Sequence, residues 1–543
     1  MASVSTAPSP AHVPAKWTRF ADQGHAPPPA ADRIKPRHHA AFVAMVFGMF
    51  MAILDIQIVA ASLSEIQAGL SASRDEIPWV QTAYLIAEVV MIPLSGFLSR
   101  ALGTRIVFAV SAAGFTLASF MCGLTSSIDG MIAWRAIQGF IGGGMIPTAF
   151  ATAYIIFPRS RIALVSAILG LVATLAPTIG PTVGGYLTGA LSWHWLFFIN
   201  VIPGICVTVA ALVLIDFDQP DLALLRRLDW WGLIFMAIFL GSLEYVLEEG
   251  PRNDWFNHAM ILTFAWTCGI AAVLFFARAL TAAEPIVDLR SLTDRNFALG
   301  SLFSFTLGIG IYGLPVLYSL FLGEIRGYDA RMIGETMFIS GLTMFLFAPL
   351  VARLAHSLDA RLVLAFGFLC YSIGTWWMTS LTADWDFSDL VWPQMFRGVG
   401  AIFAIVPINN LALGTLPPEQ VKNASGLYNL MRNLGGAVGL AAINTALNTR
   451  TDLHLARLHE ALSSARRPAV EALDNLTAHF QAFGADDAKA MALKQLLLLT
   501  HRQGVVMAFA DVFLGLTVLF VGLVFLTVLM RPPGVQSAAP EAH

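Results

Sequence analysis

The chain has 543 residues, of which 57% are hydrophobic and 12% are charged, and its formal net charge at pH 7 is -3. Soluble domains carry about 25% charged residues, so this composition, with a mean hydropathy of +0.70, excludes an ordinary soluble protein. No basic stripe with interleaved aromatics stands outside the short loops, which argues against nucleic acid as a partner.

Apolar runs long enough to cross a membrane recur along most of the chain. A spanning helix needs about 20 apolar residues, and we count about fourteen such runs between residues 41 and 530. The N-terminal tail, the even-numbered loops and the C-terminus hold about 18 of the 32 lysines and arginines, which predicts that both termini are cytoplasmic. The sequence therefore predicts an all-α integral membrane protein with fourteen spans in contact with the lipid bilayer.

Two parts of the chain resemble each other. Pro93, Leu98 and Arg105 reappear at one constant offset as Pro349, Leu354 and Arg361, and a second alignment pairs Ser166 and Gly180 with Ser425 and Gly439. Such duplication is how many transporters are built, because two bundles can rock about a central site. We predict the following organisation: a disordered cytoplasmic tail over 1–40, a six-helix bundle over 41–215, an inserted two-helix hairpin over 216–296, a second six-helix bundle over 297–530, and a cytoplasmic tail over 531–543.

The first and fourth spans each carry a charge. Asp55 lies about 12 Å below the outer end of its helix and Arg135 about 8 Å below the outer end of its own, so the two charges could meet. A carboxylate that alternates between an arginine partner and a protonated form would couple proton binding to conformation. A purely structural ion pair is the alternative. Arg397, also inside a span, is the expected counterpart of Arg135.

The second span carries a polar stripe. Gln81, Tyr84 and Glu88 recur at i, i+3 and i+7, on one face of a helix, and predict the wall of a cavity. Glu88 would carry a proton, attract a cationic substrate, or serve structure alone. Gln57, Gln138 and Arg397 complete the predicted cavity. Glu244 and Asp511 lie near outer ends of spans, where their carboxylates are expected to reach water.

Two glycine-rich stretches predict sites of close approach or movement. The loop after the second span contains Gly96, Arg100, Gly103 and Arg105, whose glycines allow a tight return and whose arginines can latch one conformation. The fifth span has two prolines four residues apart, which bend a helix, and two glycines four residues apart, which let a neighbouring backbone approach closely. Its members are Pro177, Gly180, Pro181, Gly184 and Gly185.

The segment over 450–502 is less apolar, with leucines at helical spacing such as Leu455, Leu458 and Leu462. It predicts amphipathic helices on the outer side that either cap the bundle or bind a partner. The four cysteines all lie in apolar runs at wide spacing, which favours core residues over metal ligands or disulfides. We predict no metal site.

These motifs resemble those of the major facilitator superfamily, in its branch of fourteen-span drug:proton antiporters. Ala176–Gly185 resembles the antiporter signature, and Gly96–Arg105 resembles the cytoplasmic loop signature, with Arg100 in place of the usual acid. Arg135–Gly139 matches the Arg-x-x-Gln-Gly motif. Leu54–Val59 resembles the branch motif of the first span, with Gln57 replacing threonine.

The resemblance implies a proton-coupled multidrug efflux antiporter of the bacterial inner membrane, with two six-helix bundles plus two inserted helices. It would export hydrophobic or amphipathic compounds by alternating access, driven by the proton gradient without a cofactor. A periplasmic adaptor, expected to contact 450–502, and an outer-membrane channel are the implied partners. The few acids in mid-span favour neutral or anionic compounds over multivalent cations.

Two other functions stay open at this stage. One is a solute uptake symporter or uniporter of the same fold, against which the paired prolines of the fifth span argue. The other is an integral-membrane enzyme. Its candidate histidines are His454, His459 and His479 of the outer segment, more typical of solvated helix faces, and no nucleophile, base and metal-ligand cluster accompanies them.

Overall fold

The computed structural model describes residues 35–530 except 74–75, 283–284, 415, 417, 463–465 and 483–486. The predicted tail 531–543 and residues 1–34 of the other tail lie outside the described residues. In chain order the α-helices are α1 Pro36–Ala61, α2 Leu63–Leu70, α3 Trp79–Ala101, α4 Thr104–Leu124, α5 Ile128–Gly142, α6 Met145–Ile156, α7 Arg159–Ala190, α8 Trp195–Phe198, α9 Val201–Leu214, α10 Trp230–Glu249, α11 Ala259–Thr281, α12 Arg295–Gly308, α13 Leu314–Leu320, α14 Ala330–Ser357, α15 Ala360–Trp377, α16 Phe387–Leu413, α17 Pro418–Ala461, α18 Arg467–Ala482 and α19 Ala488–Leu526.

Within the described residues, twelve helices are long and apolar enough to cross a membrane, and a thirteenth is added if the two bent parts of α7 count as one span. Fourteen spans are predicted from the sequence. The difference is α17, which packs among the others but is interrupted by Asn429, Arg432 and Asn433 and is less apolar than they are. The architecture is the predicted one, an all-helical membrane protein.

Proline sets the geometry of two helices. Pro36 occupies the first turn of α1, where a missing backbone N–H costs no hydrogen bond. This helix therefore begins at 36, and the last five residues of the predicted 1–40 tail are helical. Pro177 and Pro181 lie inside α7, which bends by 41° between Arg161–Pro177 and Ile179–Ala190 because each proline removes a backbone hydrogen bond.

The duplication predicted from the sequence is visible in the packing. The helix α3 packs against α17, and its counterpart α14 packs against α7, so that each bundle offers the same two helices to the other. The inserted pair α10 and α11 packs together, and α10 also contacts α3 and α17. We call the face where α1 begins and α19 ends the terminal face, and the opposite face the distal face.

The predicted outer segment 450–502 is not a separate unit. Helix α17 runs without a break to Ala461, and α19 begins at Ala488, so both spans continue beyond the bundle. Between them α18 packs against α19, and its residues there are at most half-buried.

Candidate functional site

The charges of Asp55 and Arg135 meet inside the first bundle. The Arg135 Nη1 atom donates to Asp55 Oδ2 at 2.6 Å, and both side chains are 0% exposed. Because removing two charges from water is costly, such a pair needs further hydrogen bonds to persist. The sequence reasoning placed these two residues at similar depths, and the fold joins α1 to α5 at that level.

Neighbouring polar groups complete this buried pair. The Asn200 side chain donates to Asp55 Oδ1 at 2.7 Å and to Ser119 Oγ at 3.1 Å. On the arginine side, Nε donates to the Val80 carbonyl at 3.1 Å and Nη1 donates to Gln138 Oε1 at 2.8 Å. Each charge thus has at least one partner outside its own helix in addition to the other charge, which fixes its orientation.

One nitrogen of the Arg135 guanidinium is left without a hydrogen bond in the described part of the chain, and the group stacks on an aromatic ring. Its Nη2 atom has no hydrogen-bond partner among the described residues, and its guanidinium lies 4.2 Å from the centroid of the Tyr84 ring. Gly139 makes this stacking possible, because a Cβ there would overlap the Tyr84 carbonyl. Close approach of α5 to α3 therefore directs Tyr84 towards Arg135.

A cavity of about 1180 Å³ lies next to the pair, between the two bundles. Its deep wall includes the predicted residues Gln57, Gln81 and Glu88, and the prolines Pro177 and Pro181 line it where α7 bends. Residues of the distal loops and helix ends, such as Trp255 and Asp452, surround its other end. The cavity therefore opens at the distal face.

Three residues expected in this cavity lie elsewhere. Tyr84 and Gln138 face the ion pair, since both contact Arg135, and neither lines the cavity. Arg397 lies within the second bundle, where it donates to Ser340 Oγ and sits 5.5 Å from the Tyr318 ring centroid. The polar stripe of α3 is thus divided between cavity and ion pair.

The counterpart of Arg135 is Gln394, not Arg397. At the offset that pairs Pro93 with Pro349, Tyr84 corresponds to Ser340. A Cβ at Gly139 would overlap the Tyr84 carbonyl, and a Cβ at Gly398 would overlap the Ser340 carbonyl, so the two glycines are equivalent. Arg-x-x-Gln-Gly in the first bundle therefore matches Gln-x-x-Arg-Gly in the second.

The prolines and glycines of α7 bring it onto α1. A Cβ at Gly180 would overlap Cβ of Gln57, and a Cβ at Gly184 would lie 2.9 Å from the Ile58 carbonyl oxygen. Gly185 accepts a hydrogen bond from the Thr188 hydroxyl at 3.2 Å through its carbonyl. This stretch holds the helix that carries Asp55 directly against the bend in α7.

The terminal face is closed by contacts between the bundles. A Cβ at Gly96 would lie 2.8 Å from the Lys422 carbonyl oxygen, so α3 and α17 touch there. The Lys422 ammonium forms an ion pair with Asp218 at 2.5 Å and donates to the Ser99 carbonyl at 3.2 Å. Asp218 also accepts from Thr104 N and Oγ1, at 2.9 and 2.6 Å.

The predicted gating loop takes part in this closure through its backbone. Gly103 has φ of +83°, which favours glycine. The Arg100 carbonyl accepts from the backbone N–H of Asp221 at 3.2 Å, while Arg105 is exposed. The loop lacks the usual acid, and Asp218, about 115 residues later in the chain, brings a carboxylate to the same place by accepting from Thr104. No local sequence motif predicts this role of Asp218.

Sequence reasoning also missed acids of the inserted hairpin. Glu244 is 5% exposed, and both Glu244 and Glu248 line the cavity instead of reaching water outside it. Their spacing of four residues was the available signal, because it places both on one face of α10. Which way that face points depends on where the hairpin packs.

Of the three histidines considered for an enzyme, His459 and His479 are exposed as expected, and His454 is not. His454 is 7% exposed, and its Nε2 atom lies 2.9 Å from Asp511 Oδ2. It is therefore a buried contact between α17 and α19 and not a solvated residue.

Comparison with known proteins gives a consistent result. Residues 45–440 match the family model described as Major Facilitator Superfamily. The chain is 41% identical over 491 residues to the "Colistin resistance protein EmrB" of Acinetobacter baumannii, covering 90% of this chain and 96% of that one. It is 30% identical to the "Fatty acid resistance protein FarB" of Neisseria gonorrhoeae, covering 91% and 96%.

A further relative is the "Multidrug export protein EmrB" of Escherichia coli, 30% identical over 78% of this chain and 82% of its own length. Among solved structures, the human organic anion transporter MFSD10 superposes with a TM-score of 0.56 over 90% of this chain and 100% of its own, at 13% identity. That last likeness concerns the fold.

Proposed function

Since the chain belongs to the major facilitator superfamily, we propose that it exports hydrophobic or amphipathic compounds from the cell by alternating access, driven by the proton gradient. The relatives named for multidrug export, colistin resistance and fatty acid resistance support export of varied small molecules. The observation that carries the proposal is the fully buried Asp55–Arg135 pair beside a cavity that is open at one face and closed at the other.

Protonation of Asp55 would change this arrangement. A neutral carboxyl group attracts a guanidinium far less than a carboxylate does, which would release Arg135 towards Tyr84 and its other partners. Because the pair links α1 to α5, its loosening would alter the packing of the first bundle. The proton and the direction of opening are thereby tied to each other.

The energetics allow one proton to suffice. A proton moving down 100 mV yields about 2.3 kcal/mol, whereas a tenfold uphill gradient costs about 1.4 kcal/mol. One proton per cycle would therefore sustain about a 50-fold gradient of a neutral substrate.

We place the protein in the bacterial inner membrane with the terminal face in the cytoplasm, in line with the distribution of lysine and arginine. The distal cavity would then face the periplasm, and the Asp218–Lys422 contact would close the cytoplasmic side. The structure described above corresponds, in this orientation, to the state that releases substrate.

Everted vesicles test the coupling. We expect the unaltered protein to accumulate a fluorescent substrate under an imposed acid-inside gradient, and we expect Asp55→Asn to reduce this accumulation to background while substrate still binds. Asp359→Asn, at the terminal face, is the control and keeps accumulation. Full transport by Asp55→Asn would remove Asp55 from the mechanism, and accumulation only in right-side-out vesicles would favour uptake.

We further propose that a periplasmic adaptor binds the extension formed by α18 and the ends of α17 and α19, and passes substrate to an outer-membrane channel. The supporting observation is that no residue of α18 is fully buried, although the helix packs on α19. Deleting Arg467–Ala482 should abolish cross-linking to a co-expressed adaptor while leaving transport in vesicles intact. Unchanged cross-linking would contradict the proposal.

A further inference from the structure

The inserted hairpin forms a wall of the cavity. Helix α10 lies along α3, where Tyr245 stacks on Trp79 with ring centroids 5.4 Å apart and Thr82 Oγ1 donates to Glu249 Oε1 at 3.4 Å. On the other side, Trp255 Nε1 donates to Thr445 Oγ1 of α17 at 3.0 Å. The hairpin thus bridges both bundles at the distal face, where α3 and α17 separate.

This wall carries carboxylates that face the cavity. Glu244 and Glu248 of α10 line it together with Glu88 of α3. None of the three forms an ion pair with any residue that the structure describes. Glu88 is 2% exposed, and its Oε1 atom has no hydrogen-bond partner in the part of the chain that the structure describes. A buried acceptor left without a partner at the wall of a large cavity indicates a ligand that satisfies it.

The charge of the lining is one-sided. Among its described residues are six acids, namely Glu88, Glu244, Glu248, Asp254, Glu324 and Asp452, against Arg252 as the single arginine or lysine, with His501 in addition. A concave surface with one sign of charge concentrates ligands of the opposite sign.

The opposite side of the cavity differs in chemistry. There α17 and the π-helical turn Ile309–Gly313 present Tyr312, Leu440 and the amide of Asn444. At the repeat offset, Glu88 corresponds to Met344, so the second bundle offers no matching acid. The wall of α3 and α10 thus carries Glu88, Glu244 and Glu248. The opposite wall offers Tyr312 and Leu440 beside uncharged polar groups, with Glu324 and Asp452 as its acids, and this combination suits a molecule with one charged end and one apolar body.

We propose that the inserted hairpin is part of the substrate site, where Glu244 and Glu248 act with Glu88 to bind the cationic group of an amphipathic organic cation. The apolar body of the ligand lies against Tyr312 and Leu440. The inserted helices thereby determine specificity and do more than extend the bundle. This deepens the proposed export function, and it reverses the preference for neutral or anionic compounds drawn from the sequence.

Equilibrium binding tests this site without any proton gradient. Purified protein in nanodiscs is titrated with tetraphenylphosphonium, a lipophilic cation, and with triphenylphosphine oxide, a neutral molecule with a similar apolar body. We expect Glu244→Gln to weaken tetraphenylphosphonium binding about tenfold and to leave triphenylphosphine oxide binding within about twofold. Glu248→Gln should have the same sign of effect, and Glu335→Gln, an exposed acid of α14, is the matched control.

The outcomes separate this proposal from proton coupling. Asp55→Asn should bind tetraphenylphosphonium like the unaltered protein, so loss of transport in that variant does not bear on the hairpin. The inference is overturned if Glu244→Gln and Glu248→Gln bind the cation normally, or if both ligands weaken equally. If Glu244→Gln misfolds, Glu244→Asp, which keeps the charge, must retain discrimination between the two ligands; its loss also overturns the inference.

Discussion

The two bundles have kept the same packing and acquired different charges. In the first, Arg135 contacts Asp55, and Gln138 follows one turn later. In the second, Gln394 takes the place of Arg135 and Arg397 takes the place of Gln138. Gly139 and Gly398 touch equivalent carbonyls on the neighbouring helix, which shows that the backbones superpose even though the two side chains are exchanged.

The two buried acids of the first bundle, Asp55 and Glu88, have no acidic counterparts in the second bundle. Gly180 faces Gln57 on α1, and its counterpart Gly439 faces Ile309 on α12. Asp55, two residues before Gln57, therefore corresponds to Leu307, two residues before Ile309. With Met344 in place of Glu88, the second bundle has neither acid. The two bundles thus share equivalent packing contacts, while the ionisable groups proposed for coupling lie in the first bundle alone.

Replacing each arginine in turn should give the largest difference between the two bundles. Arg135→Gln should lower proton-driven export at least tenfold and destabilise the fold by about 3–5 kcal/mol, because it leaves Asp55 buried without its partner. Arg397→Gln should keep export within about threefold, since Arg397 has no acidic partner among the described residues. Transport in everted vesicles and thermal unfolding followed by intrinsic fluorescence measure the two effects.

A double variant separates stability from coupling. Adding Asp55→Asn to Arg135→Gln removes the uncompensated charge and should restore most of the unfolding temperature but none of the export. Equal loss of export in Arg135→Gln and Arg397→Gln would mean that both bundles carry the coupling.

The ion pair that joins the bundles at the terminal face can be tested separately. Lys422 and Asp218 close the terminal face with side chains only 14% and 12% exposed, so their ion pair is shielded from water. Lys422→Met should raise labelling of a cysteine placed at Ser425, in a variant without the four native cysteines, and reduce export about three- to tenfold. The control Arg331→Met removes an ion pair whose side chains are 82% and 57% exposed, and it should change neither. No change in labelling for Lys422→Met would show that this pair does not hold the face closed.

Glycine packing offers a smaller and graded effect. Gly180→Ala introduces a methyl group where it would overlap Gln57, and it should cost about 1–3 kcal/mol through overpacking. Gly439→Ala would place its methyl group 2.9 Å from the Ile309 side chain and 3.0 Å from its Cα, which is less close than the contact at Gly180, and should cost less. Gly189→Ala places its methyl group more than 4 Å from every described residue outside its own stretch of helix, and it should be neutral or slightly stabilising. Thermal unfolding of the three variants gives the order, and an equal cost at Gly180 and Gly189 would contradict the close contact.

The N-cap of α15 in the second bundle should give a small effect on stability. In the second bundle Asp359 accepts from the Arg361 backbone N–H at 3.0 Å and pairs with its guanidinium at 2.6 Å. The hydrogen bonds from the Arg361 side chain lower the pKa of Asp359 below its ordinary 3.8. A lowered pKa stabilises the fold at pH values above that of the unfolded carboxyl, and this contribution is lost as pH falls through the folded value.

Asp359→Asn should therefore lower the unfolding temperature slightly at pH 6, by the equivalent of less than about 1 kcal/mol since the pair is partly exposed. The difference from the unaltered protein should shrink between pH 5 and pH 3. A difference that grows on acidification would have the wrong sign for this ion pair.

Several features could be predicted from the sequence because they are local or periodic. Helical spacing put Gln81 and Glu88 on one face, and the depth of Asp55 and Arg135 in their spans put their charges at one level. The bend at Pro177 and Pro181 follows from their missing N–H groups. Helical periodicity places Tyr84 on the same face as these residues and so predicts that it lines the cavity. It carries no information about Gly139 of the neighbouring helix, whose small size lets Arg135 stack on Tyr84.

Apolar length, repeated residues and helix rise are properties of single segments, so they predict a duplicated helical membrane protein with a charge in its first and fourth spans. Three features become visible in the folded chain alone: Gln394 replaces Arg135, Asp218 closes the terminal face, and Glu244 faces the cavity. Each of these depends on which helices become neighbours across long stretches of chain, and that choice is made by packing between surfaces, which no single segment encodes.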